Sequence, residues 1–282
     1  MKSSLRSIPR AETKNPFNQG SRKPALSDVF SREPEKKHKL WRKYQKKKIL
    51  LIGAGGLGGF IALGLVRKAV GKLTICDGDI VEISNLNRQW FTSYDLGNNK
   101  AKALVRRLKH EAVANIELRA IDMFLEEAIE ESKIEKPDLC LCMPDNDEIR
   151  RFAAAYCLKN KTPLIISGLS HNSDYGYIFV QTSYPGNACW GCFGGGNPGK
   201  VPCGAEANIN LPMVAAGFVL TACDAIVSGL PLPWNYRRFS ISGALPETLA
   251  NVQVLGECSI CGKKKQKLKS NHINSEIQFS TE

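Results

Sequence analysis

Apolar residues along the chain fall into short unbroken runs, separated by longer segments in which they recur every three or four positions. Lys48-Ile-Leu-Leu-Ile52 is one such run and Leu73-Thr-Ile-Cys76 another; runs of this length with no polar alternation predict strands buried on both faces. Between them a glycine-rich stretch opens a mostly apolar helix that reaches about Val70. The alternation continues with helices near 100–112, 124–132 and 147–158, and strands near 116–119, 138–143 and 163–166. This pattern predicts an α/β fold with a doubly wound, Rossmann-like, mostly parallel sheet.

Beyond Ile166 the character changes. Tyr175–Thr182 reads as an antiparallel strand, 183–204 as a loop rich in Gly and Cys, 214–228 as a long buried helix, and 238–242 with 251–255 as late strands. These form an antiparallel continuation of the sheet. Leu211–Leu230 is long and apolar, but Pro212 and Asp224 interrupt it, so it is expected in the core and not in a membrane. Residues 1–38 mix Ser, Pro, Asn, Lys and Arg without period, and read as a disordered arm. A short helix is expected where Leu40, Trp41 and Tyr44 share a face. The expected division is a basic arm (1–46), a nucleotide-binding domain (47–262) and a basic flexible tail (263–282).

The 282 residues are 43% apolar and 23% charged, a globular composition that excludes disorder throughout. The net charge of +12 lies in the tails: residues 1–48 contribute +11, residues 263–282 contribute +3, and the middle is at −2. A nucleic-acid reader carries such charge on its fold, so no nucleic-acid partner is expected. The tails serve either as solubilising segments or to engage an acidic partner. The N-terminus lacks the apolar core of a secretory signal, although its Arg/Ser-rich, acid-poor start also fits mitochondrial targeting. Ten cysteines without a secretory signal fit a reducing compartment, and the expected location is cytoplasmic.

Gly53, Gly55 and Gly58 fit G-x-G-x-x-G between a predicted strand and helix. Glycine there permits a tight turn and close approach of phosphate oxygens to main-chain N–H groups at a helix N-terminus. Asp77, 19 residues beyond Gly58 at the end of the second strand, is placed to accept hydrogen bonds from ribose hydroxyls. These features point to a nucleotide and leave both a dinucleotide and ATP open.

After Asp77 comes a polar run, Asp79-Ile-Val-Glu82-Ile-Ser84-Asn85-Leu86-Asn87-Arg88-Gln89. Together with the Gly-Ala-Gly-Gly-Leu-Gly loop it resembles the ubiquitin-activating-enzyme superfamily, whose small bacterial branch includes the adenylyltransferases of molybdopterin and thiamine biosynthesis. The resemblance spans roughly 47–262. Asn87 stands where small bacterial members commonly have Gln, a feature closer to the eukaryotic enzymes. The resemblance implies an ATP-dependent activating enzyme that adenylates the C-terminal carboxylate of a ubiquitin-like or sulfur-carrier protein, as a homodimer. It implies that Gly56 and Asp77 contact the nucleotide, that Arg88 and Lys100 are the cations on the triphosphate, and that Ser84, Asn85 and Gln89 orient it. Asp145, with Asn146 beside it, matches the magnesium-associated carboxylate. The family's N-terminal Arg-Tyr-x-Arg-Gln, which reaches the partner subunit's site, is absent; Arg32 and Arg42 are the candidates left for that role.

Cys189-Trp-Gly-Cys192 and Cys258-Ser-Ile-Cys261 are two C-x₂-C pairs that together could hold one tetrahedral Zn²⁺ or act as two redox pairs. The resemblance implies a structural four-cysteine zinc. It also suggests that Cys203, in the glycine-rich loop, receives an activated acyl group or sulfur. Cys76, Cys140, Cys142, Cys157 and Cys223 fall in predicted strands or helices and read as core. Three alternatives remain: adenylation of a ribosomally made peptide, an NAD-dependent oxidoreductase, and a non-catalytic nucleotide-binding scaffold. Hydride transfer has no need of Arg88, Lys100 or the cysteine pairs.

Overall fold

The computed structural model describes residues 25–33, 39–170, 173–182, 187–193 and 208–262. Eight strands form one sheet in the order β3-β2-β1-β4-β5-β6-β7-β8. They are β1 (Lys48–Ile52), β2 (Lys72–Cys76), β3 (Glu117–Ile121), β4 (Leu139–Cys142), β5 (Leu164–Leu169), β6 (Tyr175–Gln181), β7 (Tyr236–Ser240) and β8 (Thr248–Ala250). The first five are parallel and the last three antiparallel, as the patterning predicts.

The period of two along β1 assigns the layers. Ile49 and Leu51 enter a core shared with α2 (Leu40–Tyr44), α3 (Gly56–Arg67), α4 (Lys100–Glu111) and α8 (Asn210–Ser228). Leu50 and Ile52 enter the opposite core with α5 (Leu125–Glu130), α6 (Asp147–Lys159) and α7 (Trp190–Phe193). With both faces covered, the strands have no need of polar alternation. α8 is long and apolar enough to cross a membrane, yet it lies half-buried against α3 and the sheet. Inside that layer, Tyr44 is fully buried and its hydroxyl donates to Asp224 at 2.8 Å, while Lys68 pairs with the same carboxylate.

Three boundaries differ from the sequence reading. α8 starts four residues earlier, at Asn210, because Pro212 falls in its first turn, where a missing N–H costs no helical bond. The final strand is Thr248–Ala250 and not 251–255; Asn235 takes over the next backbone group, its Oδ1 accepting from Val252 N at 2.7 Å. Residues 25–33 of the arm carry a short helix: α1 (Leu26–Val29) leads to Phe30, which stacks on Trp41 at 5.6 Å and packs on Ala69 and Ala114. One aromatic anchor in a polar stretch has no period by which to be read.

Candidate active site

β1 lies between β2 and β4, so the order in which strands are laid down reverses about it and a crevice opens at the carboxyl ends of β1 and β4. Gly53 leaves β1 at φ +89°, a conformation side chains rarely adopt. A Cβ on Gly58 would stand 1.9 Å from the Gly53 carbonyl oxygen, so only glycine lets α3 begin this close to the strand. Pro144, from the turn after β4, lies 3.3 Å from where a Gly53 Cβ would be. The loop bearing Asp145 therefore abuts the glycine loop.

Asp77 closes the loop from the other side. Its Oδ2 accepts from Ala54 N at 2.6 Å and its Oδ1 from Asp79 N at 2.9 Å. Burial raises its pKa above the usual aspartate value, while those two N–H groups and the nearby Lys100 charge pull it back. Asn99 caps α4 through Lys102 N at 3.0 Å, and its Nδ2 donates to the Asp77 and Asp79 carbonyls at 2.7 and 3.1 Å. That double attachment delivers Lys100 to the crevice, where it pairs with Asp79 at 2.9 Å.

The polar run forms a turn. Asn85, which is buried, accepts from Glu82 N at 3.1 Å in a reciprocal capping box, and Ser84 sits at the turn's surface. Arg88 Nη1 bonds the Ser84 carbonyl and Asn87 Oδ1. A Cβ on Gly56 would come within 3.1 Å of the Arg88 carbonyl, and one on Gly55 within 3.9 Å of Gln89 Nε2. Gln89 is buried and its Oε1 has no hydrogen-bond partner. A buried orphan acceptor below a side-chain-free cradle fits a ligand that carries donors, as a nucleotide does. Asp145 is exposed and carries no hydrogen bond or ion pair among the described residues, so its carboxylate is available to a cation. Asn146 Oδ1 caps α6 through Glu148 N at 2.8 Å, leaving its amide nitrogen as the group for a ligand.

Cys189, Cys192, Cys258 and Cys261 converge on the α6–α7 side of the sheet, with all four sulfurs within 4.8 Å of one another. Neighbouring Sγ···Sγ separations are 3.5, 3.6 and 3.8 Å. Four thiolates at ~2.3 Å around a tetrahedral ion stand about 3.8 Å apart, so the cluster is compatible with zinc. Burial alone raises the Cys258 pKa, but the N–H groups of Cys261 and Ile260 outweigh it and bring the thiol down to about 7. Cys203 lies outside the described residues. Cys140, Cys142, Cys157 and Cys223 are fully buried and Cys76 nearly so. Sequence reasoning gave Asp79 and Glu82 no role of their own within the polar run and missed Asn99, which was readable as an N-cap just before the α4 pattern.

The ThiF family model matches residues 31–275. The sulfur carrier protein ThiS adenylyltransferase of Escherichia coli (strain K12) is 30% identical over 225 residues, 78% of this chain and 88% of that protein. Ubiquitin-like modifier-activating enzyme 5 of Drosophila mojavensis is 34% identical over 165 residues, but the match spans 54% of this chain and 41% of that longer protein. Among solved structures, E. coli MccB with ATP has a TM-score of 0.68 at 20% identity, over 79% of this chain and 69% of its own, a likeness of fold.

Proposed function

This chain belongs to the ThiF family, and from that premise we propose that it uses Mg²⁺-ATP to adenylate the C-terminal carboxylate of a ubiquitin-like or sulfur-carrier protein. One observation carries the reading: the glycine loop, clamped by Asp77 and abutted by Pro144, brings a phosphate cradle and the unpartnered Asp145 carboxylate into one crevice. In the reaction a substrate carboxylate oxygen bonds the α-phosphorus of ATP, the bond to the β-phosphate oxygen breaks, and pyrophosphate leaves. No protein nucleophile is required, so the site works by positioning and charge.

Main-chain N–H groups of residues 55–58 hold phosphate oxygens at the N-terminus of α3, the Ala54 N–H being taken by Asp77. Lys100, mostly covered at 12% exposure, is fixed by Asp79 and by the cap of α4. Arg88 exchanges the neutral oxygens of Ser84 and Asn87 for phosphate, a stronger charge-assisted pairing. Gln89 Oε1 gains the donor it lacks. Asp145 would hold Mg²⁺, which when bound supplies neutralisation of charge on the triphosphate. The cysteine cluster, a closed four-thiolate set, would hold zinc with no open position and serve structure. The enzyme acts as a cytoplasmic homodimer, with Arg32 or Arg42 reaching the neighbouring site, and Cys203 accepts the activated group where transfer follows.

The test is ATP–pyrophosphate exchange with a protein ending in Gly-Gly, beside a short peptide as the alternative carboxylate. Asp145→Ala should lower exchange by roughly 10²-fold, as expected for losing one preorganised charge, with the melting curve unchanged because Asp145 supports no described contact. Exchange at the wild-type rate in the folded variant would overturn the assignment.

A further inference from the structure

The cysteine cluster and the Asp145 loop are joined by a short chain of contacts that adenylation chemistry does not itself require. Trp190 stands between two of the clustered cysteines, Cys189 and Cys192, and is 3% exposed. Its indole Nε1 donates to Asp147 Oδ1 at 2.7 Å. Asp147 Oδ2 accepts from Arg151 Nε at 2.6 Å, one turn along α6. A second stitch runs beside the first: Trp190 N donates to Gln181 Oε1 at 3.0 Å, and Gln181 Nε2 donates to the Ala154 carbonyl at 3.0 Å. α7 is thus tied to α6 at its first turn and again near its middle.

Asp147 is two residues from Asp145, and two residues of chain reach at most about 7 Å. Fixing Asp147 therefore restricts where the Asp145 carboxylate can stand relative to the glycine loop. A tryptophan between two metal-ligand positions, stacked on Tyr177 at 6.0 Å and under Arg150 at 5.8 Å, is a rigid donor for that purpose. A carboxylate in the first turn of α6 is also favoured by the helix dipole, so Asp147 itself has little freedom to leave.

We propose that Trp190 and Asp147 are positioning residues that carry the rigidity of the cysteine centre to the Asp145 loop and so set the site's demand for divalent cation. The inference rests on the adenylation reading for its kinetic arm but not for its structural one. Trp190→Phe keeps the aromatic packing and removes the N–H donor. Asp147→Ala breaks the same bond from the other side, and Asp147→Asn restores an acceptor for the indole.

Two measurements on the full chain decide it. Hydrogen–deuterium exchange without nucleotide should rise at least threefold at residues 143–149 in Trp190→Phe and Asp147→Ala. It should stay at the wild-type rate around 258–261, with zinc content unchanged, and Asp147→Asn should return most of the protection. In ATP–pyrophosphate exchange, the Mg²⁺ concentration for half-maximal rate should rise several-fold in the same two variants, with the rate at saturating Mg²⁺ falling less. A purely structural role would move stability without moving the Mg²⁺ requirement. Wild-type exchange protection and wild-type Mg²⁺ dependence in a folded, zinc-loaded variant would overturn the proposal. Should the wild type show no pyrophosphate exchange, the adenylation reading fails and the hydrogen-exchange result still judges the link. Should Trp190→Phe not fold, the Asp147 pair decides alone.

Discussion

Asp77 Oδ2 accepts the Ala54 amide at 2.6 Å, so the end of one strand holds the loop that leaves its neighbour. The carboxylate at the second strand's end is commonly read as a ribose contact, yet here it also builds the phosphate cradle. A charge-assisted bond of this kind is about twice as strong as a neutral one, which suits a glycine-rich segment with the most conformational freedom to lose.

The burial of this carboxyl gives a pH signature. Burial raises the Asp77 pKa in the fold, so the folded chain holds this proton to higher pH than the unfolded chain does. Its contribution to stability is fully present below the ordinary aspartate value and is lost as pH rises through the raised one. Denaturant titrations across that window should show wild type losing stability with rising pH relative to Asp77→Asn, which does not titrate. A pH-independent difference between the two proteins would contradict the assignment.

The element from Lys48 to Cys76 was legible almost residue by residue, because strand, glycine loop and helix each carry a local signal. The cysteine pairs were legible for the same reason, and their convergence then follows from the fold. Asn85, expected to orient a ligand, also has its Oδ1 in the Glu82–Asn85 turn, a buried contact that no periodicity signals. The Trp190–Asp147 bond spans 43 residues and joins two elements with no shared pattern. No periodicity reports such a pairing. Phe30 was missed because one buried ring in a polar arm has no repeat to betray it.

Buried Tyr44 and Asp224, with the half-buried Lys68, fix α2, and with it Arg42, against α8. Tyr44→Phe removes one bond while Asp224 keeps Lys68 at 2.8 Å, and should cost about 1 kcal/mol. Asp224→Ala removes the acceptor from a hydroxyl with no exposure, and should cost about 2–3 kcal/mol. Chemical denaturation of the two variants checks the order. Equal losses would mean that the Lys68 pair contributes nothing.

For the cysteine centre, metal analysis of reduced protein should find one Zn²⁺ per chain. Cys192→Ser should lose it, because Cys192 Sγ stands 3.8 and 3.6 Å from Cys189 and Cys261 and completes the four-thiolate set. Metal binding is folding free energy in such sites. A loss of roughly 3 kcal/mol would lower the melting temperature by about 6–12 °C in a domain of this size, and a chelator should do the same to wild type. Metal-free protein with an unchanged melting curve would refute the structural role.

Two glycine-to-alanine changes should move in opposite directions, and the reason is visible in their surroundings. At Gly58 the new methyl would meet the Gly53 carbonyl oxygen at 1.9 Å, and the obstacle is backbone that cannot rotate away. α3 must shift from the strand, and Gly58→Ala should cost about 3 kcal/mol or more and abolish detectable ATP binding. At Gly217, inside α8, nothing lies within 4 Å of the added methyl. Alanine there keeps the helix and removes freedom from the unfolded chain, so Gly217→Ala should stabilise by about 0.5–1 kcal/mol with ATP affinity unchanged. Paired melting curves and nucleotide titrations read both effects. A Gly58→Ala protein that binds ATP like wild type would mean that the loop relaxes more cheaply than its packing implies, and that the cradle is not held by this contact.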